Sequence, residues 1–413
     1  MKKVLFGTTA LMAAAAYTSV AMADPITLSI GGKQEFYFGI ADVENGDGTV
    51  YRSINPAAVA AGATHGTESN EAYGGTGAST DTELYFSGQT TLDNGLTVMA
   101  MIQIEADENG ATNADETYMT LSGGFGSLQL GLRQGAHANM ANSGFDQGGV
   151  DWDEALYSGN WSPQPDSLGP IFAGTIFSGL DMGQSRLDFV TPNLTYYSSD
   201  DVSVAYISPE FFGFSVGATY TPDVAGTGLT DYSNTGNRKD QFDAAVAFSN
   251  EFYGVGIDAD FGYLYGFGTS SAPSYEMFRV GGALSYAGFS IGGAWADHEY
   301  DGDNTNARDG MSWQAGAGYE NGPYGIDFNY YHGETEGSFL VAGDTLAGAA
   351  HVADMTNAGI GDEDTTDYYK LTGRYDLGPG IMLNASVYHV NYDNDMGMDR
   401  QITGGLMGVG LRF

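Results

Sequence analysis

From Ile26 to Phe413 the chain keeps returning to one pattern, short segments in which apolar and polar residues alternate. A period of two is the mark of a β-strand with one face buried and the other wetted. Tyr324, Ile326, Phe328 and Tyr330 share one face of such a segment, with Asp327 and Asn329 on the other. The last eleven residues do the same, setting Thr403, Gly405, Met407, Val409, Leu411 and Phe413 against Gly404, Leu406, Gly408, Gly410 and Arg412. Leu128, Leu130 and Leu132 alternate with Gln129, Gly131 and Arg133, and Phe261 and its row alternate with a set holding Asp258 and Asp260. After residue 23 no apolar run approaches the roughly 20 residues of a membrane-spanning helix.

Sixteen segments carry the pattern, near 26–41, 81–92, 96–107, 115–123, 127–134, 202–208, 211–221 and 240–249 in the first half. The second half holds 254–266, 275–286, 289–300, 310–319, 324–333, 367–376, 381–392 and 401–413. Most have about the ten residues of a tilted strand crossing an outer membrane. The links between them alternate long and short. Short links such as Asp93-Asn94-Gly95, Pro209-Glu210 and Ala287-Gly288 are hairpin turns. Long ones include 42–80, 135–201 and 334–366. Tight turns on one rim and long loops on the other are the rhythm of an up-and-down barrel, and both termini on the short-turn rim require an even strand number.

The fold class expected is therefore all-β, a transmembrane antiparallel up-and-down barrel of sixteen strands. Closure follows from the solvent: in hydrocarbon an unpaired backbone amide costs several kcal/mol, so no open sheet edge can face lipid. About eight strands leave an interior filled by side chains, while about sixteen leave a water-filled channel. Aromatic residues gather at segment ends, as in Tyr85-Phe86, Tyr330-Tyr331 and Tyr368-Tyr369, which predicts two girdles at the membrane surfaces.

The first residues fit an exported chain. Met1-Lys2-Lys3, an apolar run and Ala21-Met22-Ala23 read as a signal peptide over 1–23, leaving 24–413 as the barrel domain. Cysteine is absent, so no disulfide contributes to stability. Net charge is −38, which disfavours nucleic acid as a partner. Acidity also accompanies disorder, but 27 Tyr and 22 Phe belong to a chain that folds.

A family resemblance rests on three places. Residues 121–134, with their Phe125-Gly126 turn and Gly131-Leu132-Arg133 ending, resemble the hairpin that precedes the constriction loop of Gram-negative general porins. Residues 208–222 resemble the hairpin that follows it, and Gly408-Val-Gly-Leu-Arg-Phe413 resembles their aromatic-ended last strand. The overall pattern is similar to the alphaproteobacterial, Rhodobacter-type porins across nearly the whole mature chain. The resemblance implies a homotrimer in the bacterial outer membrane, in contact with its lipid and lipopolysaccharide. It also implies that the third long connection, 135–201, folds into the lumen as a constriction. That connection is long for the family, which suggests a short helix within it.

A pore requires a lining rather than a catalyst. The basic candidates on polar faces are Lys33, Arg133, Arg279, Lys370 and Arg374, with Arg52 and Arg186 in connections. Their acidic counterparts in the third connection are Asp146, Asp151, Asp153 and Glu154. Opposed charges across an opening order water and sort solutes by dipole and charge. Asp151, Asp153 and Glu154 also offer hard oxygen ligands for calcium, although no cofactor is required. Two Gly-x-Ser-x-Gly strings, at Ser215 and Ser290, lie in alternating segments rather than strand-to-helix turns, so no hydrolase is expected.

The function expected is passive diffusion of ions and small hydrophilic solutes with a mild cation preference. Two alternatives stay open, a substrate-selective sugar-type porin and a non-conducting surface adhesin barrel.

Overall fold

The computed structural model describes residues 25–45, 50–51, 67–68, 73–106, 114–141, 201–224, 239–269, 274–301, 309–336, 363–394 and 400–413. Strands β1 (Thr27–Asn45), β4 (Tyr73–Thr91), β5 (Thr97–Glu105), β6 (Ala114–Gly123) and β7 (Gly126–Leu132) come first. A two-residue ribbon, β2 (Val50–Tyr51) with β3 (Thr67–Glu68), stands apart from them. One helical turn, α1 (Ala136–Asn139), follows β7. Next are β8 (Val202–Ile207), β9 (Phe214–Asp223), β10 (Lys239–Phe252), β11 (Val255–Phe267) and β12 (Ser274–Tyr286). The chain continues through β13 (Phe289–Asp301), β14 (Gly310–Asn321), β15 (Tyr324–Glu336), β16 (Glu363–Gly378), β17 (Ile381–Asn394) and β18 (Arg400–Arg412).

Apart from the ribbon, these strands form one closed antiparallel barrel in which each pairs with its sequence neighbours. The β1 strand pairs on one side with β4 and on the other with β18, closing the ring. At the seam the Gly32 amide donates to the Phe413 carbonyl at 3.0 Å, and the Phe413 amide donates back at 3.1 Å. All sixteen expected segments are barrel strands. Several are longer than the alternation suggests, β1 and β4 among them: β1 reaches Asn45 and β4 starts at Tyr73, so the link between them is shorter than 42–80. Gly39, Gly74, Gly75 and Gly77 interrupt the hydropathy pattern there while the backbone ladder continues.

Turn chemistry explains the short rim. Tyr253-Gly254 and Ala287-Gly288 have positive φ at both central residues (52° and 81°, 50° and 89°), the mirror-image turn whose twist matches paired strands. The β8–β9 reversal differs from expectation. It sits at Phe212-Gly213 (φ 56° and 89°) and not at Pro209-Glu210, with Phe211 and Phe214 bridged across it. Pro209 cannot donate an amide to such a turn, whereas Gly213 takes the left-handed backbone without a Cβ penalty.

The faces separate as the alternation requires. Phe261, Val280, Ile326, Leu371 and Met407 are exposed outward, while Gln241, Asp243, Asp260, Asn329 and Thr372 are buried on the inward face. Outward aromatics form two belts. Near the tight turns Phe289 packs on Tyr319 (ring centroids 4.4 Å) and Tyr324 on Tyr375 (5.0 Å). Higher up, Phe278 meets Trp295 (5.0 Å), Trp313 meets Tyr330 (4.9 Å) and Tyr330 meets Tyr369 (4.8 Å). On β12, Phe278 and Tyr286 lie about eight residues apart, which at ~3.3 Å per residue and a tilt of roughly 40° spans about 20 Å of height. That is comparable to the ~25 Å apolar band of an outer-membrane barrel. Above the upper belt, His332 lies 2.8 Å from both Asp367 and Glu334, so the outward face turns polar there.

Candidate functional site

The inward face of β1 and β4–β7 forms one wall. The Lys33 ammonium lies 2.7 Å from Glu83 Oε1 and 3.0 Å from Asp81 Oδ2. Gln103 Nε2 donates to Glu83 and to Asp115, each at 3.1 Å, and Tyr85 OH donates to Glu83. Glu105 joins Asp81 and Glu83, the three carboxylates approaching within 4.8 Å of one another. That spacing suits a metal ion, but the Lys33 ammonium already neutralises part of the trio. Next along the seam, Tyr37 OH donates to Glu35, whose Oε1 lies 4.0 Å from Arg412 Nη2.

Arg133 sits past the end of β7. Its guanidinium lies 4.3 Å from the centre of the Tyr118 ring, a cation–π geometry, and its Nη2 donates to Asn139 Oδ1 at 3.2 Å. Asn139 belongs to α1, which turns inward and packs against β8–β11. The Ala136 amide donates to Thr219 Oγ1 at 2.6 Å and the His137 amide to Asp243 Oδ1 at 3.1 Å. The β9 surface admits this helix because Gly217 is bare: a Cβ there would stand 2.5 Å from Met140 Sδ and 2.8 Å from Ala136 Cβ. The expected short helix in the third connection is thus present at its start, inside the barrel.

The far wall carries the other basic candidates. Arg279 on β12 is fully buried and ion-paired with Asp260 on β11. Lys370 faces inward on β16 beside Asn329 and Tyr388, its register partners on β15 and β17. Arg374 Nη2 lies 3.1 Å from Glu320 Oε1 near the short-turn rim. All five polar-face candidates, Lys33, Arg133 just beyond β7, Arg279, Lys370 and Arg374, therefore face inward. They are spread around the wall, and Lys33, Arg279 and Arg374 each pair with a carboxylate.

Arg52, Arg186, Asp146, Asp151, Asp153 and Glu154 lie outside the described residues, as does the calcium site expected at the last three. The acids that line the described wall are others, among them Glu35, Asp81, Glu83, Glu105, Asp115, Asp243, Asp260 and Asp327. Their sequence signal was the polar phase of each strand, as in Lys33-Gln-Glu35 and Asp81-Thr-Glu83. Looking for acids only in the third connection passes over it. Ser215 and Ser290, the centres of the two Gly-x-Ser-x-Gly strings, lie within β9 and β13.

A closed sixteen-strand barrel with an outward apolar band and a charged interior is a membrane channel architecture. Residues 7–395 match the family described as Gram-negative porin. The chain belongs to that family. Comparison with curated proteins gave no match. Among solved structures, it is similar to an anion-selective porin from Comamonas acidovorans (14% identity, 94% of this chain and 100% of that one, TM-score 0.56). It is also similar to the in-vitro folded trimer form of OmpT, an outer membrane protein of Vibrio cholerae (12%, 94% and 100%, TM-score 0.53). A Rh. blastica porin mutant is a third likeness (15%, 94% and 100%, TM-score 0.52). At these identities the likeness is one of fold, and it covers nearly the whole porin chain. The protein is an outer-membrane porin.

Proposed function

We propose that this porin is a passive, water-filled diffusion channel for ions and small hydrophilic solutes, with a mild preference for cations. The observation that carries the preference is the β1–β5 wall, where Lys33 stands among Asp81, Glu83 and Glu105, with Glu35 and Asp115 nearby. Excess carboxylate along a low-dielectric wall raises the local cation concentration. This differs from the anion selectivity named for the Comamonas porin. Planar-bilayer recording across a KCl gradient tests it: a cation-directed reversal potential that fades with rising salt is expected, and clear anion preference at low salt refutes it.

The same reading gives the channel a homotrimeric state and an outer leaflet of lipopolysaccharide as surroundings, and no catalytic role. It needs no cofactor. Chelation of calcium during recording tests the Asp151, Asp153 and Glu154 triplet if it is run on wild type and on a D151N/D153N/E154Q variant, since only the intact triplet should then respond.

One observation favours a second reading. Tyr331, Tyr368 and Tyr388 all face inward on β15–β17 beside Asn329 and Asn384. Aromatic and amide groups together suit a sugar, and saturation of the ion current by one sugar would favour a substrate-selective channel. Complete absence of conductance would favour an adhesin.

A further inference from the structure

We propose that Asn139 and Thr219, both uncharged, are positioning residues that set ion selectivity by holding the Arg133 charge against the wall. The inference rests on the channel reading and adds the means by which one charge is placed.

The arrangement runs in three links. Thr219 on β9 and Asp243 on β10 accept the Ala136 and His137 amides, fixing α1 to the inner wall. Gly217 lets the helix approach, since any side chain there would occupy the place of Met140 Sδ and Ala136 Cβ. Asn139 at the end of α1 then has its amide orientation forced. Its Nδ2 donates to the Gln134 carbonyl at 2.7 Å and the Gly135 carbonyl at 2.9 Å, so its Oδ1 is left to accept from Arg133 Nη2. An amide has two donor hydrogens on nitrogen and accepts only at oxygen, so the reversed orientation would set the NH2 group against the guanidinium and lose all three bonds.

Arg133 is consequently clamped between Asn139 and the Tyr118 ring, with the Glu116 carboxylate close enough to attract it but Asn139 fixing its direction. Its residue is 5% exposed, so the charge lies along the wall and out of the water path. Arginine has a long side chain with many rotamers, and only specific partners hold it in one of them. With Asn139 gone, the guanidinium gains solvation by extending into the lumen. A cation in the water path repels cations and attracts anions.

The experiment is a double-mutant cycle read by reversal potential in a KCl gradient, with folded assembly checked by cold-gel mobility. N139A should lower the cation-to-anion permeability ratio although it changes no charge. T219V, which removes the acceptor of the Ala136 amide, should shift it the same way by less, and T219S, which restores a hydroxyl, should return the ratio to wild type. R133A should raise the ratio. The decisive variants are R133A/N139A and R133A/T219V, which should both match R133A, because the neutral residues act only through that charge. Unchanged ratios in N139A and T219V, or shifts that persist with R133A, overturn the proposal. N139A and T219V act at opposite ends of α1, so either decides the question if the other does not assemble. A wild-type protein without conductance would instead overturn the channel reading.

Discussion

Replacing Gly32 by alanine tests the barrel seam with a single methyl group. On the outward side Gly32 lies under the Phe413 ring, between β18 and β4. A Cβ at this position would stand 2.6 Å from the Glu83 backbone carbonyl, 2.9 Å from Phe413 Cζ and 3.2 Å from Leu84 Cδ2. The ring can rotate away, but the Glu83 carbonyl belongs to the β1–β4 ladder, so relief requires the two strands to separate locally. Overpacking of this kind costs about 1–3 kcal/mol. If the shift also breaks the two Gly32–Phe413 bonds, roughly 1 kcal/mol is lost with each. G32A should therefore destabilise the folded barrel by about 1–3 kcal/mol if the bonds survive and about 3–5 kcal/mol if both are lost. Urea titration in lipid vesicles, followed by heat-modifiable gel mobility, measures this. The internal control is G373A in β16, where the nearest atom to an added Cβ is the Ala385 carbonyl at 4.0 Å. Strand glycines without such crowding gain about 0.5–1 kcal/mol on becoming alanine. Equal midpoints for G32A and G373A would refute the reasoning.

Other consequences are as direct. D260A leaves the buried Arg279 guanidinium without its ion-pair partner and should cost about 3–5 kcal/mol, whereas the double replacement D260L/R279M should cost less; the same urea titration compares them, and equal losses would show that the pair matters little. Deleting Phe413 removes both seam bonds to Gly32, so the yield of folded protein should fall while the conductance of assembled channels stays at the wild-type value; unchanged yield would show that the seam holds without it.

Much of the fold was legible because a barrel wall imposes its rule on every residue. One face meets lipid and the other meets the interior, so Ile326, Phe328, Asp327 and Asn329 disclose their sides by alternation alone. The exceptions have local reasons. Gly74, Gly75 and Gly77 carry no hydropathy signal, which hid the start of β4, and the polar run Asp42, Glu44 and Asn45 hid the end of β1. The β8–β9 turn was misplaced because Pro209 is a strong turn residue, yet the reversal needs two residues at positive φ, which Phe212-Gly213 supplies.

The site was less legible. Alternation identified Lys33, Arg133, Arg279, Lys370 and Arg374 as inward-facing, since that depends only on strand phase. What faces each of them depends on register between strands, which brings Lys33 to Glu83 across fifty residues of sequence and α1 to Thr219 and Asp243 across 83 and 106. The sequence by itself determined a sixteen-strand, lipid-facing barrel with a charged interior, because those properties follow from period, turn spacing and the demand that backbone amides be paired in hydrocarbon. Only the tertiary structure decided which charges are neutralised, where α1 enters the lumen and what holds Arg133, because these depend on ring closure and on contacts between residues far apart in the chain.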